Sequence, residues 1–272
     1  MVAYNSQSSN TWCEDGREIK LLHFVYGQPN LGEIRGRPQK VLDLIDQFAN
    51  TCYLMNVGRE KGRIITKVIE DIRPQTMIEL GGYVGYSAIL FGDALRRNGG
   101  KRLISLESNP ESAAVANMLV ELAGLRDLVS IIVGQSDESL HQLYTTGEVK
   151  HIELMFIDHY KAAYITDVKL CEHYGMISPG TVLAADNVLF PGNPQYLEYV
   201  RSTVEQKRKA GTQNRRREGY DVSGLPEVAV TSMIARDTAP KFSYDGNPNL
   251  VYESELHQPE GHCVSSSLLP LS

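Results

Sequence analysis

The fold class is inferred first from the stretch TMIELGGYVGYSAILFGDALRRNGGKRLISLE, residues 76–107. The stretch opens with the apolar run TMIEL (76–80), turns at GGYVG, continues as a helical pattern from Tyr86 to about Arg97, and ends in the apolar run RLISLE (102–107). The apolar period changes from two residues to about 3.6 and back to two, which is typical of strand, helix and strand. This stretch is therefore predicted to be one βαβ unit.

The same alternation continues along the chain. Asn109 and the proline after it are expected to cap and open a helix that runs to Gly124. Three more apolar runs, separated by helical patterns, predict further strands: VSIIV (129–133), IELMFI (152–157) and TVLAA (181–185). Near-continuous apolar strands that alternate with helices indicate a parallel sheet covered on both faces. We therefore predict a doubly wound α/β fold with a mostly parallel sheet.

The segments on either side of this core follow from the same signals. Two helices are predicted before it, one from Pro38 and one that ends at Arg73, because Pro74 follows. After the core, a helix is expected from Pro194 to about Lys209. Two late apolar runs could form an antiparallel pair at the sheet edge: 228–235 and 249–255.

We expect the chain to form one domain over residues 1–272. Its expected parts are an N-terminal extension (1–16), N-terminal helices (17–73), an α/β core (74–256) with an extended segment (about 207–247), and a tail (257–272). The tail is polar and has no period, so poor order is expected there. The basic run over 207–217 lacks interleaved aromatic residues and is interpreted as a solvated loop.

Composition excludes several classes of partner. The chain has 27 basic and 33 acidic residues and a net charge of -6, which disfavours nucleic acids and anionic membranes as partners. Its apolar stretches are strand-sized, well short of the roughly 20 residues that a membrane helix needs, and no secretory signal is visible. We expect a cytoplasmic monomer that acts on a small molecule. The four cysteines are scattered and are interpreted as free thiols: Cys13, Cys52, Cys171 and Cys263.

The residues after the first two strands of the core suggest a nucleotide-like ligand, because ligands of open α/β sheets bind beyond the carboxyl ends of strands. Gly81 and Gly82 allow a sharp turn, and the carboxylate of Glu107 can accept both hydroxyls of a ribose. A dinucleotide fingerprint would need glycine at Tyr83, which weakens an NAD site. The alternative is a tight turn followed by an incidental acidic residue.

The next two strand ends carry oxygen donors and a lysine. Asp158, Asp186 and the Asn187 amide suit a hard cation such as Mg²⁺, and no histidine or cysteine pattern favours zinc. The alternative is that each aspartate only caps the helix that follows it. Lys161 lies three residues after Asp158, where a nearby cation or desolvation would lower its pKa from about 10.4 and suit it to act as a base.

These motifs together resemble the catechol O-methyltransferase family, in its fungal form. The resemblance covers about Arg17 to Val200 and rests on MNVG (55–58), ELGGYVGYSA (79–88), LESNP (106–110), IDHYK (157–161), ADNV (185–188) and PGNP (191–194). It implies a class I methyltransferase fold with seven strands, the last of them antiparallel. It also implies S-adenosylmethionine and one Mg²⁺ as cofactors.

The resemblance implies a role for each matching residue. The S-adenosylmethionine pocket would be lined by Met55, Val57, Glu79, Gly81, Tyr83, Ser87, Glu107, Ser136 and His159. The metal would be bound by Asp158, Asp186 and Asn187, and Lys161 would be the base. The substrate would contact Tyr53, Tyr160, Lys161, Asn187, Pro191 and a late carboxylate that is Glu253 or Glu255, of which we choose Glu253.

The chain also departs from the family. Tyr53 and Tyr160 stand where the mammalian enzymes carry tryptophan, and Asp137 stands where they have glutamine beside the adenine. The predicted function is Mg²⁺-dependent transfer of a methyl group from S-adenosylmethionine to one hydroxyl of a catechol. The alternatives are methylation of another ortho-diphenol, a nicotinamide-dependent oxidoreductase, and a nucleotide-binding regulatory module.

Overall fold

A computed structural model describes residues 15–213, 220, 222, 224–225, 239–257 and 264–268. The helices are α1 (Arg17–Tyr26), α2 (Leu31–Ile34), α3 (Pro38–Ala49), α4 (Gly58–Ile72), α5 (Tyr86–Arg97), α6 (Pro110–Leu122), α7 (Ser136–Thr145), α8 (Tyr164–His173), α9 (Pro194–Arg201) and α10 (Val204–Gln213). The strands are β1 (Thr76–Leu80), β2 (Arg102–Glu107), β3 (Val129–Val133), β4 (Leu154–Ile157), β5 (Val182–Asp186), β6 (Glu253–His257) and β7 (Val264–Leu268). Short helical turns lie at Lys161–Ala163 and Val188–Gly192.

The chain forms two compact units. Unit 1 consists of the described residues up to Arg73 together with Gly82–Val133. Unit 2 consists of Pro74–Gly81 together with the described residues from Gly134 onward. The prediction of a single domain stays a prediction.

Unit 1 packs its helices around an apolar core. Strands β2 and β3 pair in parallel, from Leu103 opposite Val129 to Glu107 opposite Val133. Helices α1, α3, α4, α5 and α6 contact one another through faces whose apolar residues recur every three or four positions, the spacing that places them on one side of a helix. The fully buried residues include Leu21, Val41, Ile45, Ile65, Ile69, Phe91 and Leu119.

Unit 2 contains the parallel strands that end at the predicted metal ligands. β4 pairs in parallel with β1 on one side and with β5 on the other. Every residue of these three strands is buried, as expected for strands covered on both faces. The mostly parallel α/β architecture predicted from the alternation of strands and helices is thereby confirmed.

The end of the chain differs from the prediction. The helix expected from Pro194 is divided into α9 and α10. The strand expected over 249–255 begins four residues further along the chain, as β6. The strand expected over 228–235 lies outside the described residues. β7, in the tail that was expected to be poorly ordered, pairs antiparallel with both β5 and β6. The run VSSSL has no apolar alternation, so sequence patterning could not reveal a strand that joins the sheet through backbone pairing.

Two other expectations can be compared with the structure. Cys52 and Cys171 are free thiols, as predicted, and burial raises the pKa of the Cys171 thiol well above its usual value. Cys13 and Cys263 lie outside the described residues. Within the described ranges, none of the helices has the length and apolar character needed to cross a membrane.

Gly81, in the turn after β1, has a backbone conformation and a close neighbour that should make its replacement destabilising. Gly81 has φ +92, and a Cβ added there would lie 2.6 Å from the Asp158 carbonyl oxygen. Gly180 has nearly the same φ, +91, but an added Cβ would have no described atom within 4 Å. Gly180→Ala should cost only the backbone strain, about 1–2 kcal/mol. Gly81→Ala should lower the free energy of unfolding by a further 1–3 kcal/mol, roughly, because the backbone must shift.

Urea denaturation followed by circular dichroism measures both variants under the same conditions. Equal losses of stability in Gly81→Ala and Gly180→Ala would contradict the close approach of the Gly81 turn to the end of β4.

Candidate active site

The predicted metal ligands come together because β4 and β5 are parallel neighbours. Ile157 pairs with Ala185, so Asp158 and Asp186, the next residue of each chain segment, lie at the same level of the sheet. Asn187 has φ +59, a left-handed conformation that asparagine tolerates better than most residues. Its backbone N–H donates to the Asp186 carboxylate at 2.6 Å.

Lys161 lies among these oxygen atoms. Its Nζ is 3.3 Å from Asp158 Oδ1, 3.3 Å from Asn187 Oδ1 and 3.3 Å from the Asp186 main-chain oxygen. The Lys161 and Asp158 side chains are only 12% and 19% exposed, which limits screening of this contact by solvent. The structure therefore brings together Asp158, Lys161, Asp186 and Asn187, as the sequence predicted.

The donor set suits an oxygen-preferring cation. The side-chain oxygens of Asp158 and Asn187 each lie 3.3 Å from one atom, Lys161 Nζ, so they can face one cation. Among the described residues, no group of three or more histidine, cysteine, aspartate and glutamate side chains could hold a metal. Two carboxylates and one amide would leave coordination positions for water or substrate, as Mg²⁺ sites in proteins usually do. The residues present therefore fit Mg²⁺ better than zinc.

Tyr164, which sequence reasoning missed, forms a hydrogen bond with the amine of Lys161. Lys161 Nζ donates to Tyr164 Oη at 2.5 Å, and Tyr164 Oη donates to the Asp186 carbonyl at 3.1 Å. Burial, reinforced by the charges of Asp158 and Asp186, raises the pKa of the Tyr164 phenol well above its usual value. The phenol therefore stays protonated. Its one proton forms the hydrogen bond to the Asp186 carbonyl, and a lone pair of its oxygen accepts the hydrogen bond from Lys161.

Asn193 is a second supporting residue that the sequence reasoning missed. It is 1% exposed, and its Nδ2 donates to the Lys161 carbonyl at 2.8 Å. Its Oδ1 accepts from the Tyr196 N–H at 3.2 Å and so caps the start of α9. The cap signal was present in the sequence as Asn193-Pro194, but the pattern could not show that the same side chain fixes the backbone of Lys161.

His159 is held in a fixed orientation within unit 2. Its Nε2 contacts Asp167 Oδ2 at 2.7 Å, and Asp167 is fully buried. The His159 ring also stacks on Tyr164, with 5.1 Å between ring centroids and an interplanar angle of 8°. Sequence reasoning did not identify Asp167, which lies in the first turn of α8.

The other predicted residues of unit 2 lie at or beside strand ends. Glu79 is fully buried in β1. Ser136 begins α7 and is partly exposed. Tyr160 precedes Lys161 and packs edge-on against Tyr220, with ring centroids 5.8 Å apart. Pro191 is exposed in the turn after Asn187.

Glu107 closes the turn that follows β1. Its Oε2 accepts from the Tyr83 N–H and its Oε1 from the Asn109 N–H, each at 2.7 Å. These two bonds fix the carboxylate at the end of β2. The ribose-binding role that the sequence suggested for Glu107 stays a prediction.

The remaining predicted residues of unit 1 differ in exposure. Tyr53 is 50% and Met55 38% exposed, whereas Val57 and Ser87 are buried. The Tyr53 carbonyl accepts from Arg17 Nη1 at 2.7 Å. Tyr83 Oη donates to Glu18 Oε1 at 2.8 Å, which ties the turn after β1 to α1.

The substrate contact predicted for Glu253 stays a prediction, and strand pairing shows at which level of the sheet this residue lies. Glu253 pairs with Leu268, which in turn pairs with Val182 at the start of β5, whereas Asp186 is at the end of β5. Four residues of strand separate the two levels, about 13 Å at roughly 3.3 Å per residue. The alternative, Glu255, pairs with Ser266 opposite Ala184, still short of Asp186. Neither assignment could be made from the sequence, because it depends on strand register.

Comparison with known proteins gives a consistent result. A sequence profile described as O-methyltransferase matches residues 40–213. Catechol O-methyltransferase of Mus musculus is 42% identical over 188 residues, covering 69% of this chain and 69% of that protein. Catechol O-methyltransferase of Bos taurus is 40% identical over 169 residues, covering 62% of this chain but only 61% of that protein. The chain thus spans less than two thirds of the bovine relative.

Solved structures agree with the fold. The O-methyltransferase from Bacillus cereus in complex with SAH matches with a TM-score of 0.55 over 91% of this chain and 99% of that chain. Its sequence is 17% identical, so the likeness concerns the fold alone.

The geometry of Glu107 generates a second stability prediction. Glu107→Ala removes the acceptor of two backbone N–H groups and should lower the free energy of unfolding by about 1.5–3 kcal/mol, the range for hydrogen bonds to charged groups. Glu70→Ala is the matched control, because Glu70 is an exposed glutamate of α4 in the same unit and should change stability by less than about 0.5 kcal/mol. Equal denaturation midpoints for both variants would show that Glu107 does not hold the turn.

Proposed function

Because the chain belongs to the O-methyltransferase family, we propose that it transfers a methyl group from S-adenosylmethionine to one hydroxyl of a catechol-type substrate, with Mg²⁺ as its metal cofactor. The proposal rests above all on one observation, the convergence of Asp158, Asn187 and Lys161 at the carboxyl ends of β4 and β5. Oxygen donors beside a lysine are what a chelated, deprotonated diphenol requires. The similarity to two mammalian catechol O-methyltransferases supports the same substrate class.

The family resemblance assigns contacts with S-adenosylmethionine to residues of unit 1 and to residues of unit 2. In unit 1, the fixed carboxylate of Glu107 would accept the ribose hydroxyls, with Met55, Val57, Tyr83 and Ser87 as further contacts. In unit 2, the contacts would be Glu79, Gly81, Ser136 and His159. The contact between His159 and Asp167 would keep the imidazole in one orientation.

Asp158, Asp186 and Asn187 would hold Mg²⁺. When bound, the cation would supply chelation of both vicinal hydroxyls and would make them more acidic. The substrate ring would lie between apolar walls that include Tyr160 and Pro191.

Lys161 would accept the proton of one substrate hydroxyl at Nζ. Three protein contacts fix its position: Tyr164 Oη and the Asp186 carbonyl at the amine, and Asn193 at the main chain. The phenolate oxygen would then form a bond to the methyl carbon while the bond from that carbon to sulfur breaks. Correct placement of the two reactants corresponds to about 7–11 kcal/mol, more than a general base contributes, so positioning should matter at least as much as Lys161.

Methyl transfer from radiolabelled S-adenosylmethionine tests the function. With Mg²⁺ present, the protein should label catechol far faster than phenol, because a single hydroxyl cannot chelate. Product analysis should show the mono-O-methylated diphenol. Equal rates for catechol and phenol would refute the catechol assignment, and absence of transfer to any member of a panel of ortho-diphenols would refute the function.

Metal removal should abolish the activity reversibly. EDTA should reduce the transfer rate to background, and an excess of Mg²⁺ should restore it without added zinc, because the donor set contains only oxygen atoms. Circular dichroism should be unchanged throughout, since β4 and β5 are held by backbone pairing. Full activity in EDTA would defeat the chelation mechanism.

Replacement of Lys161 should affect turnover more than binding. Lys161→Met keeps the aliphatic part of the side chain but removes the amine, so kcat should fall by about 10² to 10⁴-fold with a smaller change in KM. Lys101→Met, at an exposed position, is the control and should retain parental kinetics. Near-normal kcat in Lys161→Met at neutral pH would rule out Lys161 as the base.

A further inference from the structure

The segment Lys241–Tyr252, here named the strap, is bound along helices of unit 2. Within it, Tyr244 stacks on His173 with 3.8 Å between ring centroids, and its hydroxyl lies 3.0 Å from Tyr174 Oη. Further on, the Asn247 N–H donates to Glu172 Oε2 at 2.8 Å. The first part of the strap, up to Asn247, belongs to the extended segment for which the sequence suggested no role.

The N-terminal end of the strap is anchored on the first turns of α7. Asp137 Oδ2 accepts from the N–H groups of both Lys241, at 2.7 Å, and Phe242, at 3.1 Å. One turn further along α7, His141 stacks on the Phe242 ring with centroids 3.9 Å apart and an interplanar angle of 13°. Lys241 Nζ also lies 2.7 Å from Glu138 Oε2. Three side chains of α7 thus hold two consecutive strap residues.

The burial of Asp137 argues against direct contact between this carboxylate and the cofactor. Asp137 occupies the position at which the family resemblance implies glutamine beside adenine, so the simplest expectation is direct contact with the cofactor. A side chain that lines a ligand pocket is accessible when no ligand is bound. Asp137 is instead 2% exposed, and its Oδ2 is bound to the strap. Ser136, the preceding residue, remains partly exposed.

We propose that Asp137 is a positioning residue for S-adenosylmethionine: it fixes the strap against the first turn of α7, next to Ser136, and cofactor affinity depends on the attached strap rather than on a contact between Asp137 and adenine. This inference rests on the proposed function. It assigns a role to Phe242, whose stack on His141 is the second attachment at the same place. Loss of either attachment should free the same end of the strap.

Affinity of the full chain for S-adenosylmethionine, measured by calorimetry, tests the inference. Asp137→Ala and Phe242→Ala should each raise Kd by roughly tenfold or more, the loss that follows from a broken hydrogen bond to a charged group. The double variant should be little worse than either single variant, because loss of either attachment already frees the same end of the strap. Asp245→Ala, at an exposed strap position, is the matched control and should keep the parental Kd.

Two further measurements separate positioning from direct recognition. Asp137→Asn keeps an oxygen that can accept both strap N–H groups, so its Kd should stay within a few-fold of the parent. A cofactor analogue whose adenine lacks the exocyclic amine should lose as much affinity in Asp137→Ala as S-adenosylmethionine does. Hydrogen exchange at the Lys241 and Phe242 amides should accelerate in Asp137→Ala while the melting temperature shows that the protein is folded.

The outcomes distinguish the two proposals. A parent protein that does not bind S-adenosylmethionine overturns the proposed function and this inference together. If the parent binds but Phe242→Ala keeps its affinity, the inference alone is overturned. It is equally overturned if the loss in Asp137→Ala disappears with the analogue that lacks the amine. If Asp137→Ala does not fold, the other two variants test the inference: Phe242→Ala should raise Kd, and Asp137→Asn should stay within a few-fold of the parent. Either opposite result overturns it.

Discussion

The parallel pairing of β4 with β5 is the constraint on which the candidate active site depends. Because Ile157 pairs with Ala185, the two strands deliver Asp158 and Asp186 to the same level of the sheet, and the left-handed backbone of Asn187 turns its amide oxygen toward the same point. A shift of one residue in this register would move one aspartate along the strand and turn its side chain to the other face. The oxygen cluster is thus a product of sheet geometry.

The side chains at the ends of β4 and β5 are held in place by hydrogen bonds from neighbouring residues. Lys161 places its amine among the oxygens, and the phenol of Tyr164 links that amine to the Asp186 carbonyl. Since the Tyr164 phenol is buried and remains neutral, it can accept one hydrogen bond and donate another without adding charge to the cluster. Asn193 contributes from the next turn by holding the main chain of Lys161 and starting α9. Asn193, which caps α9, therefore also fixes the main chain of Lys161.

Sequence reasoning reached the elements and residues that follow local rules. Alternating apolar runs predicted β1 to β5, and the rule that ligands bind at strand ends identified Asp158, Asp186 and Lys161 before any geometry was known. It missed Tyr164, Asp167 and Asn193, because their roles depend on which loop faces which helix. The resemblance placed Glu253 at the substrate, and the sequence could not test this choice, because the register of β6 and β7 cannot be deduced from polar, serine-rich segments. Asp137 was assigned by position in the family, whereas its surroundings are set by the strap.

We propose that the ends of β4 and β5 form a divalent-cation site beside Lys161. The most direct test is Mn²⁺ binding followed by electron paramagnetic resonance in the presence of S-adenosylmethionine, because free and bound Mn²⁺ give different signals and Mg²⁺ competes for oxygen ligands. We expect one bound Mn²⁺ per chain, displaced by Mg²⁺ and absent from a folded variant that carries both Asp158→Ala and Asp186→Ala. Failure of the parent protein to bind Mn²⁺, or unchanged binding by the double variant, would contradict it.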